Sequence, residues 1–367
     1  MKLNLNIQPL ESWFDNGGKP IIISGPCSAE SEEQLLETAR QVKATGKAQI
    51  LRAGIWKPRT RPGEFEGIGK IGLEWLNKAK AETGLPIAVE VANAAHVKDA
   101  LEAGVDILWI GARSTVNPFT VQEIADALQG VDIPVLVKNP INPDLSLWIG
   151  ALERINRAGI TKLAAIHRGF SSFEKSAYRN EPMWDLAIQL KTLAPELPIF
   201  NDPSHICGSR DLIPYIAQKA LDLDMQGLMI EAHMDPSIAW TDAKQQVTPA
   251  RLSEIIDGLT VRTADSSNPE FTDKLADLRN AIDRIDDQIF QKIGERMALV
   301  EKIGEYKRDN DVTILQVTRW EEILEKRVAV ASALKLEKDF TEKVLELLHH
   351  ESIRKQTAIM NANTELS

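Results

Sequence analysis

Short apolar runs recur along the chain as far as Gly258, and each is followed by turn residues and then by an amphipathic stretch. Eight runs have the length of buried strands, at residues 21–24, 48–51, 87–91, 107–110, 135–137, 163–166, 199–200 and 228–230. Continuous apolar strands that alternate with helices are typical of a parallel sheet covered on its outer face. Eight such units in about 250 residues predict an α/β fold, the closed (β/α)₈ TIM barrel. An open doubly wound sheet is the alternative, but no Gly-x-Gly-x-x-Gly motif follows the first run.

Each predicted strand is followed by a charged or reactive side chain. In chain order these are Cys27, Arg52 with Lys57, Glu90, Arg113, Lys138, His167 with Arg168, Asp202 with His205, and Glu231 with His233. The carboxyl ends of barrel strands converge on one face, where the active sites of this fold lie. The pattern therefore predicts an enzyme whose reactive groups share that face.

Two sets of residues are expected on this face. The cationic set contains Arg52, Lys57, Arg59, Arg113, Lys138 and Arg168. Close cations repel by roughly 1–4 kcal/mol per pair, so the set predicts a substrate that carries phosphate and carboxylate groups.

The second set contains Cys27, His205, Glu231 and Asp242. Its thiolate, imidazole and carboxylates suit a divalent transition ion such as Mn, Fe, Co or Zn, with Cys207 as an alternative ligand.

Composition limits the kinds of partner. The net charge of −10 argues against nucleic acid or an anionic membrane as a partner. Two cysteines imply no disulfide framework and fit a cytoplasmic location. The first residues lack the features of a signal peptide, and no apolar run reaches the ~18 residues of a membrane span. A length of 367 residues predicts two domains.

The texture of the sequence changes at Gly258. Residues 258–271 are polar and predict an exposed linker between a barrel domain at 1–257 and a helical domain at 272–367. Apolar residues then recur in steps of three and four, which predicts a helix capped by Thr272 or Asp273 and continuing to about Asn310. Two further helices are expected near 318–333 and 339–361. A helix of about 58 Å is too long to bury its apolar stripe against these two, so the pattern predicts a homodimer through the helical domain.

The barrel region resembles 3-deoxy-D-arabino-heptulosonate 7-phosphate (DAHP) synthase. The resemblance is carried by GPCSAE at 25–30, RAGIWKPRT at 52–60, IGAR at 110–113, HRGF at 167–170, DPSHICGSR at 202–210 and IEAHMDPSIAWTDAKQQ at 230–246. It implies a metal-dependent condensation of phosphoenolpyruvate with erythrose 4-phosphate and water, which releases phosphate at the start of the shikimate pathway. The octulosonate-phosphate synthases share the barrel and are the alternative, although they carry a different, Asn-containing loop after the second strand.

The same resemblance implies a role for each matching residue. The metal would be held by Cys27, His205, Glu231 and Asp242. Phosphoenolpyruvate would be held by Arg52, Lys57, Arg113, Lys138 and Arg168, and Lys57 would also donate a proton at the reacting centre. Arg59 and Thr60 would bind the phosphate of erythrose 4-phosphate.

Residues from about 273 to 360 resemble the all-helical chorismate mutases. The matching positions are Arg279, Arg296, Lys307, Arg319, Ser352 and Gln356. The resemblance implies rearrangement of chorismate to prephenate, with Arg296 and Lys307 as catalytic residues and Arg279 acting across a dimer. Gln316 stands where the family often has Asp, and Trp320 stands where Glu is usual. We also expect the tail to confer feedback control on the barrel, and the alternative is a non-catalytic module for dimerisation and ligand sensing.

Overall fold

The computed structural model describes residues 2–14, 17–58, 63–173, 176–263 and 266–361. Its contacts divide the chain into two compact units, Met1–Ala264 and Asp265–Ser367.

The first unit is built around eight parallel strands. They are β1 Ile21–Gly25, β2 Ile50–Arg52, β3 Ile87–Val91, β4 Ile107–Ile110, β5 Val135–Lys138, β6 Leu163–His167, β7 Ile199–Asn201 and β8 Gly227–Glu231. Each strand pairs with the next in chain order, and β1 pairs with β8 from Ile21 opposite Gly227 to Gly25 opposite Glu231. The closed barrel is confirmed, and the open doubly wound alternative is wrong.

Helices connect the strands on the outside of the barrel. They are α1 Glu32–Thr45, α2 Ile71–Thr83, α3 Ala94–Glu102, α4 Ala112–Thr115, α5 Pro118–Ala127, α6 Leu145–Arg157, α7 Trp184–Leu193, α8 Pro203–Cys207, α9 Ile213–Asp222 and α10 Pro249–Gly258. Local sequence sets their ends. The side chain of Ser31 accepts a hydrogen bond from Gln34 N at the start of α1, and Gly46 ends this helix in the left-handed conformation that glycine adopts without strain.

Alternation along the strands creates two apolar cores. One core lies between the strands and the helices and includes Leu51, Val89 and Leu108. The other fills the inside of the barrel and includes Ile50, Ala88 and Trp109. Because the inside is packed with side chains, polar groups at the carboxyl ends of the strands rest on a rigid apolar floor.

The second unit consists of α11 Pro269–Asp309, α12 Val317–Ala333 and α13 Lys338–Asn361. Its first helix begins three residues inside the predicted linker and is capped by Asn268, not by Thr272 or Asp273. The Asn268 side chain accepts from the backbone N–H of Glu270 and Phe271, and Pro269 occupies the first turn, where its missing N–H costs nothing. None of the described helices is long and apolar enough to cross a membrane.

Candidate active site

The carboxyl ends of the strands surround a cavity of about 220 Å³. Its wall is strongly cationic and includes Lys57, Arg113, Lys138 and Arg168. Strand β5 delivers Lys138, the loops after β2 and β6 deliver Lys57 and Arg168, and the short helix α4 after β4 delivers Arg113. The structure therefore brings these predicted anion-binding residues to one cavity. Arg59 and Thr60 lie outside the residues that the structure describes.

Arg52 is the last residue of β2, at the same end of the barrel, and is 1% exposed. Its Nη2 is 3.3 Å from Glu231 Oε1, and its Nε and Nη1 have no hydrogen-bond partner among the described residues. Burial alone would lower the pKa of Arg52, but Glu231 and other nearby anionic groups raise it above its ordinary value. The guanidinium is therefore a fixed cation with donors free for an anion.

Lys138 and Arg168 are also held in place. Lys138 Nζ donates to Asp202 Oδ2 over 2.8 Å, and both side chains are almost wholly buried. Arg168 Nη1 donates to Asn180 Oδ1 at 2.6 Å, while its backbone N–H donates to Asn139 Oδ1 at 2.7 Å. Burial lowers the pKa of Arg168 to about 10, so it remains a cation at neutral pH. These cations do not have to reorganise when an anion enters.

Three of the four predicted metal ligands converge beside the cations. One donor atom each from Cys27, Glu231 and Asp242 lies within 4.8 Å of the other two. His205 adjoins this group, because its Nε2 is 3.7 Å from Glu231 Oε1. Burial lowers the pKa of His205, which favours the neutral imidazole, the form that ligates a metal. The alternative ligand Cys207 packs instead in the apolar core.

The chemistry of these donors fits a divalent transition ion. Glu231 Oε1 is buried and accepts no hydrogen bond among the described residues, although it lies 3.3 Å from Arg52 Nη2, so it keeps lone pairs for a metal ion. Burial, followed by the charge of Glu231, raises the pKa of the Cys27 thiol to about 12. A bound dication would counter both effects and favour the thiolate. Although burial opposes ionisation of Asp242, His205 and Arg179 hold the pKa of its carboxyl below the usual range.

Lys57 joins the cation set to the metal-donor set. Its Nζ lies 3.1 Å from Cys27 Sγ and donates to Cys27 O over 2.6 Å. Gly54 leaves room for this approach, because a Cβ added there would lie 2.6 Å from the Lys57 Nζ. A single ammonium group therefore touches the donor set and lines the anion cavity.

The structure also shows residues that sequence reasoning missed. Arg179 donates to Asp242 Oδ1 at 2.8 Å and to Gln245 Oε1 at 2.7 Å, and Gln245 in turn donates to Glu231 Oε2 at 2.7 Å. Arg179 lies in the long β6–α7 loop, which folds back through the bridge between Phe170 and Glu181. Arg179 does not directly follow a strand, so the search for charged residues after predicted strands did not identify it.

The helical unit places part of its predicted ligand set together. Arg296 Nη1 donates to Ser352 Oγ at 2.8 Å, which joins α11 to α13. Gln356 follows Ser352 by one turn and is buried, with its Oε1 unpaired among the described residues. Lys307 Nζ donates to Ile314 O at 2.5 Å. Arg319 forms an exposed ion pair with Glu322. Arg279 lies in the largely exposed first half of α11.

Comparison with known proteins agrees with this arrangement. Residues 9–264 match the DAHP synthetase I family, and residues 278–357 match chorismate mutase type II. A phospho-2-dehydro-3-deoxyheptonate aldolase from Thermotoga maritima is 34% identical over 64% of this chain and 67% of its own length. The crystal structure of a DAHP synthase from the same organism superposes with a TM-score of 0.60 at 32% identity, over 66% of this chain and 68% of that one. A 2-dehydro-3-deoxyphosphooctonate aldolase from Cupriavidus taiwanensis is 28% identical over 64% of this chain and 86% of its own length.

The chain belongs to the DAHP synthetase I family. It carries a chorismate mutase type II domain after the barrel, so it joins a DAHP synthase domain to a chorismate mutase domain. The prediction of an enzyme with both activities is confirmed by these matches. The octulosonate-phosphate synthases are more distant relatives.

Proposed function

We propose that the barrel condenses phosphoenolpyruvate with erythrose 4-phosphate and water to give DAHP and phosphate, and that the helical domain converts chorismate to prephenate in the same cytoplasmic protein. The observation that carries the first reaction is the juxtaposition of fixed cations with a Cys/His/carboxylate donor set. Lys57 belongs to the first set and contacts Cys27 of the second, and both sets lie at the end of the barrel where this fold performs catalysis.

The cations account for binding of phosphoenolpyruvate. Arg52, Arg113, Lys138 and Arg168 hold its phosphate and carboxylate. Arg52, Lys138 and Arg168 are buried, which keeps water from screening their charges, whereas Arg113 is exposed. Arg59 and Thr60 bind the phosphate of erythrose 4-phosphate, and this assignment rests on the family motif alone. The two substrates thereby face each other, so that C3 of phosphoenolpyruvate meets the aldehyde carbon.

Cys27, His205, Glu231 and Asp242 would hold the divalent ion. When bound, the ion supplies Lewis-acid polarisation of the aldehyde carbonyl. Lys57 holds a proton between the donor set and the cavity, where it can pass to the aldehyde oxygen as the carbon–carbon bond forms. Arg52 and Lys138 stabilise the negative charge on the enol substrate throughout.

A chelator separates the two reactions. Treatment with EDTA should abolish the condensation and leave the rearrangement intact, because the rearrangement requires only cations that clamp two carboxylates. Adding back Mn²⁺, Co²⁺ or Zn²⁺ singly should restore the condensation. Full condensation activity in metal-free protein would refute the assigned donor set. Erythrose 4-phosphate and arabinose 5-phosphate offered side by side test the octulosonate alternative, and we expect turnover of the first.

The Arg296–Ser352 contact supports the second reaction, because it lies beside buried Gln356 and gives a cation next to neutral hydrogen-bonding groups. We assign catalytic roles to Arg296 and Lys307, and carboxylate or hydroxyl contacts to Arg319, Ser352 and Gln356. Arg296→Ala should abolish chorismate turnover while the condensation continues. Equal turnover by the variant and the wild type would refute this site, and no turnover by the wild type would favour the non-catalytic module.

The first helix of this domain supports a homodimer. Along α11, Leu278, Ile282, Ile285 and Ile289 are each about half exposed and lie on one stripe. A second copy would cover this stripe and bring in Arg279 from its own helix. Ile285→Glu should convert a dimer to a monomer in light scattering, and a wild-type monomer at micromolar concentration would refute the assembly.

Fusion of the two domains also supports feedback control of the barrel by a ligand of the helical domain. Chorismate or prephenate should inhibit condensation by the wild type but not by Arg296→Ala, which lacks the ligand cation. The same inhibition in both proteins would assign the effect to the barrel cavity and refute control through the tail.

A further inference from the structure

Trp109 is fully buried inside the barrel, on β4, among the apolar side chains of the inner core. A tryptophan in the apolar run ILWI would ordinarily serve only to fill space. Here two of the cations at the carboxyl ends of the strands lie over its ring. Arg52 Cζ is 4.9 Å from the ring centroid, and Lys138 Nζ is 5.9 Å from it. Both distances are within the range in which an aromatic face attracts a cation.

Burial strengthens this attraction between the cations and the indole face. Arg52 and Lys138 are almost wholly removed from water, and each has one carboxylate partner, Glu231 and Asp202 respectively. Two of the three Arg52 nitrogens have no hydrogen-bond partner among the described residues. An indole face beneath the guanidinium stabilises its charge without occupying those donors. The donors remain available to an incoming anion.

The edge of the indole is fixed as firmly as its face. Trp109 Nε1–H donates to Glu90 Oε2 at 3.1 Å, and Glu90 lines the cavity. The other oxygen of this carboxylate, Oε1, packs against Gly111 so closely that a Cβ there would lie 2.0 Å away. The hydrogen bond therefore holds the edge of the ring whose face lies against the two cations.

We propose that Trp109 is a positioning residue for the substrate anion: its indole is a platform that holds Arg52 and Lys138 at a fixed separation at the carboxyl ends of the strands. This role rests on the proposed function, in which these cations bind phosphoenolpyruvate. Without the aromatic face, Arg52 moves toward Glu231 while Lys138 stays on Asp202, and the pair no longer matches one anion. The loss falls on binding of the anion more than on the chemical step.

The test compares Trp109→Leu and Trp109→Phe with the same changes at Trp148. Trp148 is also fully buried in the barrel, and its Nε1–H donates to Val137 O, but it lies in the outer core. We expect Trp109→Leu to raise the KM for phosphoenolpyruvate about tenfold or more with a smaller change in kcat, and Trp109→Phe, which keeps a weaker aromatic face, to raise it about threefold. The Trp148 variants should keep the wild-type KM even where they melt at lower temperature. A circular-dichroism melt of the same chains reports the amount of folded barrel.

Calorimetric titration of each variant with phosphoenolpyruvate and with inorganic phosphate makes the answer independent of turnover. If the wild type binds these anions but makes no DAHP, the proposed function fails and the titrations still decide the role of Trp109. Wild-type affinity in Trp109→Leu would overturn the platform, as would equal losses in the Leu and Phe variants, which would assign the effect to the Glu90 hydrogen bond. Should Trp109→Leu not fold, an unchanged anion affinity in Trp109→Phe would overturn it.

Discussion

His167 should make the barrel sensitive to acid. Its ring is fully buried, and its Nε2–H donates to Pro182 O at 2.6 Å while Nδ1 accepts from the Asn201 amide at 3.0 Å. This pattern needs one N–H and one lone pair, so it suits the neutral ring. Burial lowers the pKa of His167 to about 4, against 6.5 for an exposed histidine. Protonation must therefore disrupt the native contacts or await unfolding.

The sign follows from the two pKa values. Because the folded value is the lower one, the unfolded chain takes up the proton first as the pH falls through 6.5. The free energy of unfolding is thus independent of His167 well above pH 6.5, declines as the pH falls toward 4, and levels off below that. From high pH to below pH 4, the free energy of unfolding falls by about 3 kcal/mol because of His167, since one pKa unit is worth about 1.4 kcal/mol. Between pH 7.5 and pH 5 the expected loss is about 2 kcal/mol.

Urea unfolding followed by tryptophan fluorescence measures this loss, because all but one of the tryptophans precede the helical domain. The matched variant is His167→Gln, whose amide can still donate to Pro182 O but does not titrate. We expect its free energy of unfolding to fall about 2 kcal/mol less than that of the wild type between pH 7.5 and pH 5. Other histidines act equally in both proteins. Parallel losses would refute the buried neutral ring as the source.

Three further changes test particular contacts. Gly111→Ala should lower the condensation rate about tenfold or more while sparing the mutase, because the added Cβ would lie 2.0 Å from Glu90 Oε1 and must displace that carboxylate. Arg179→Ala should weaken Mn²⁺ binding about 10–100-fold in calorimetric titration, since its guanidinium holds the Asp242 carboxylate at 2.8 Å. Asn268→Ala should destabilise the helical unit by about 1 kcal/mol in a circular-dichroism melt, because it removes the cap of α11.

Each of these changes has a matched control. Gly150→Ala places a methyl group in open space on α6 and should keep the condensation rate. Arg40→Ala removes an exposed arginine with two ion pairs and should keep the metal affinity. Thr272→Ala alters the residue first expected to cap α11 and should cost less than the change at Asn268. A target variant that behaves like its control would contradict the contact it was chosen to test.

The fold and much of the site follow from sequence because of how a barrel is built. Apolar runs of strand length alternate with helices, and parallel strands bring their carboxyl ends to one face. Residues at or just after those ends, such as Lys57, Lys138 and Arg168, could therefore be expected from the sequence to share a cavity. Their separation in the chain was no obstacle, since the topology alone brings them together.

Other parts of the site depend on side-chain contacts that cannot be predicted from the hydrophobic pattern of the sequence. Arg179 reaches Asp242 only because a long loop folds back, and Trp109 looks like any core residue until Arg52 is found above its ring. The start of α11 was predicted a few residues too late for a similar reason. Asn268 and Pro269 sit in a polar stretch that resembles a linker, and their capping geometry overrides that composition.

The donor set straddles the seam where the two ends of the barrel sequence meet. Cys27 follows the first strand, whereas Glu231 and Asp242 belong to the last strand and its loop, and Cys27 N also donates to Gln246 Oε1 at 2.9 Å across this junction. A cation held by these donors would cross-link segments about two hundred residues apart in the chain. A bound metal ion would then stabilise the closed barrel against separation of its first and last strands. A nascent chain could bind the ion only after its eighth strand had paired with the first.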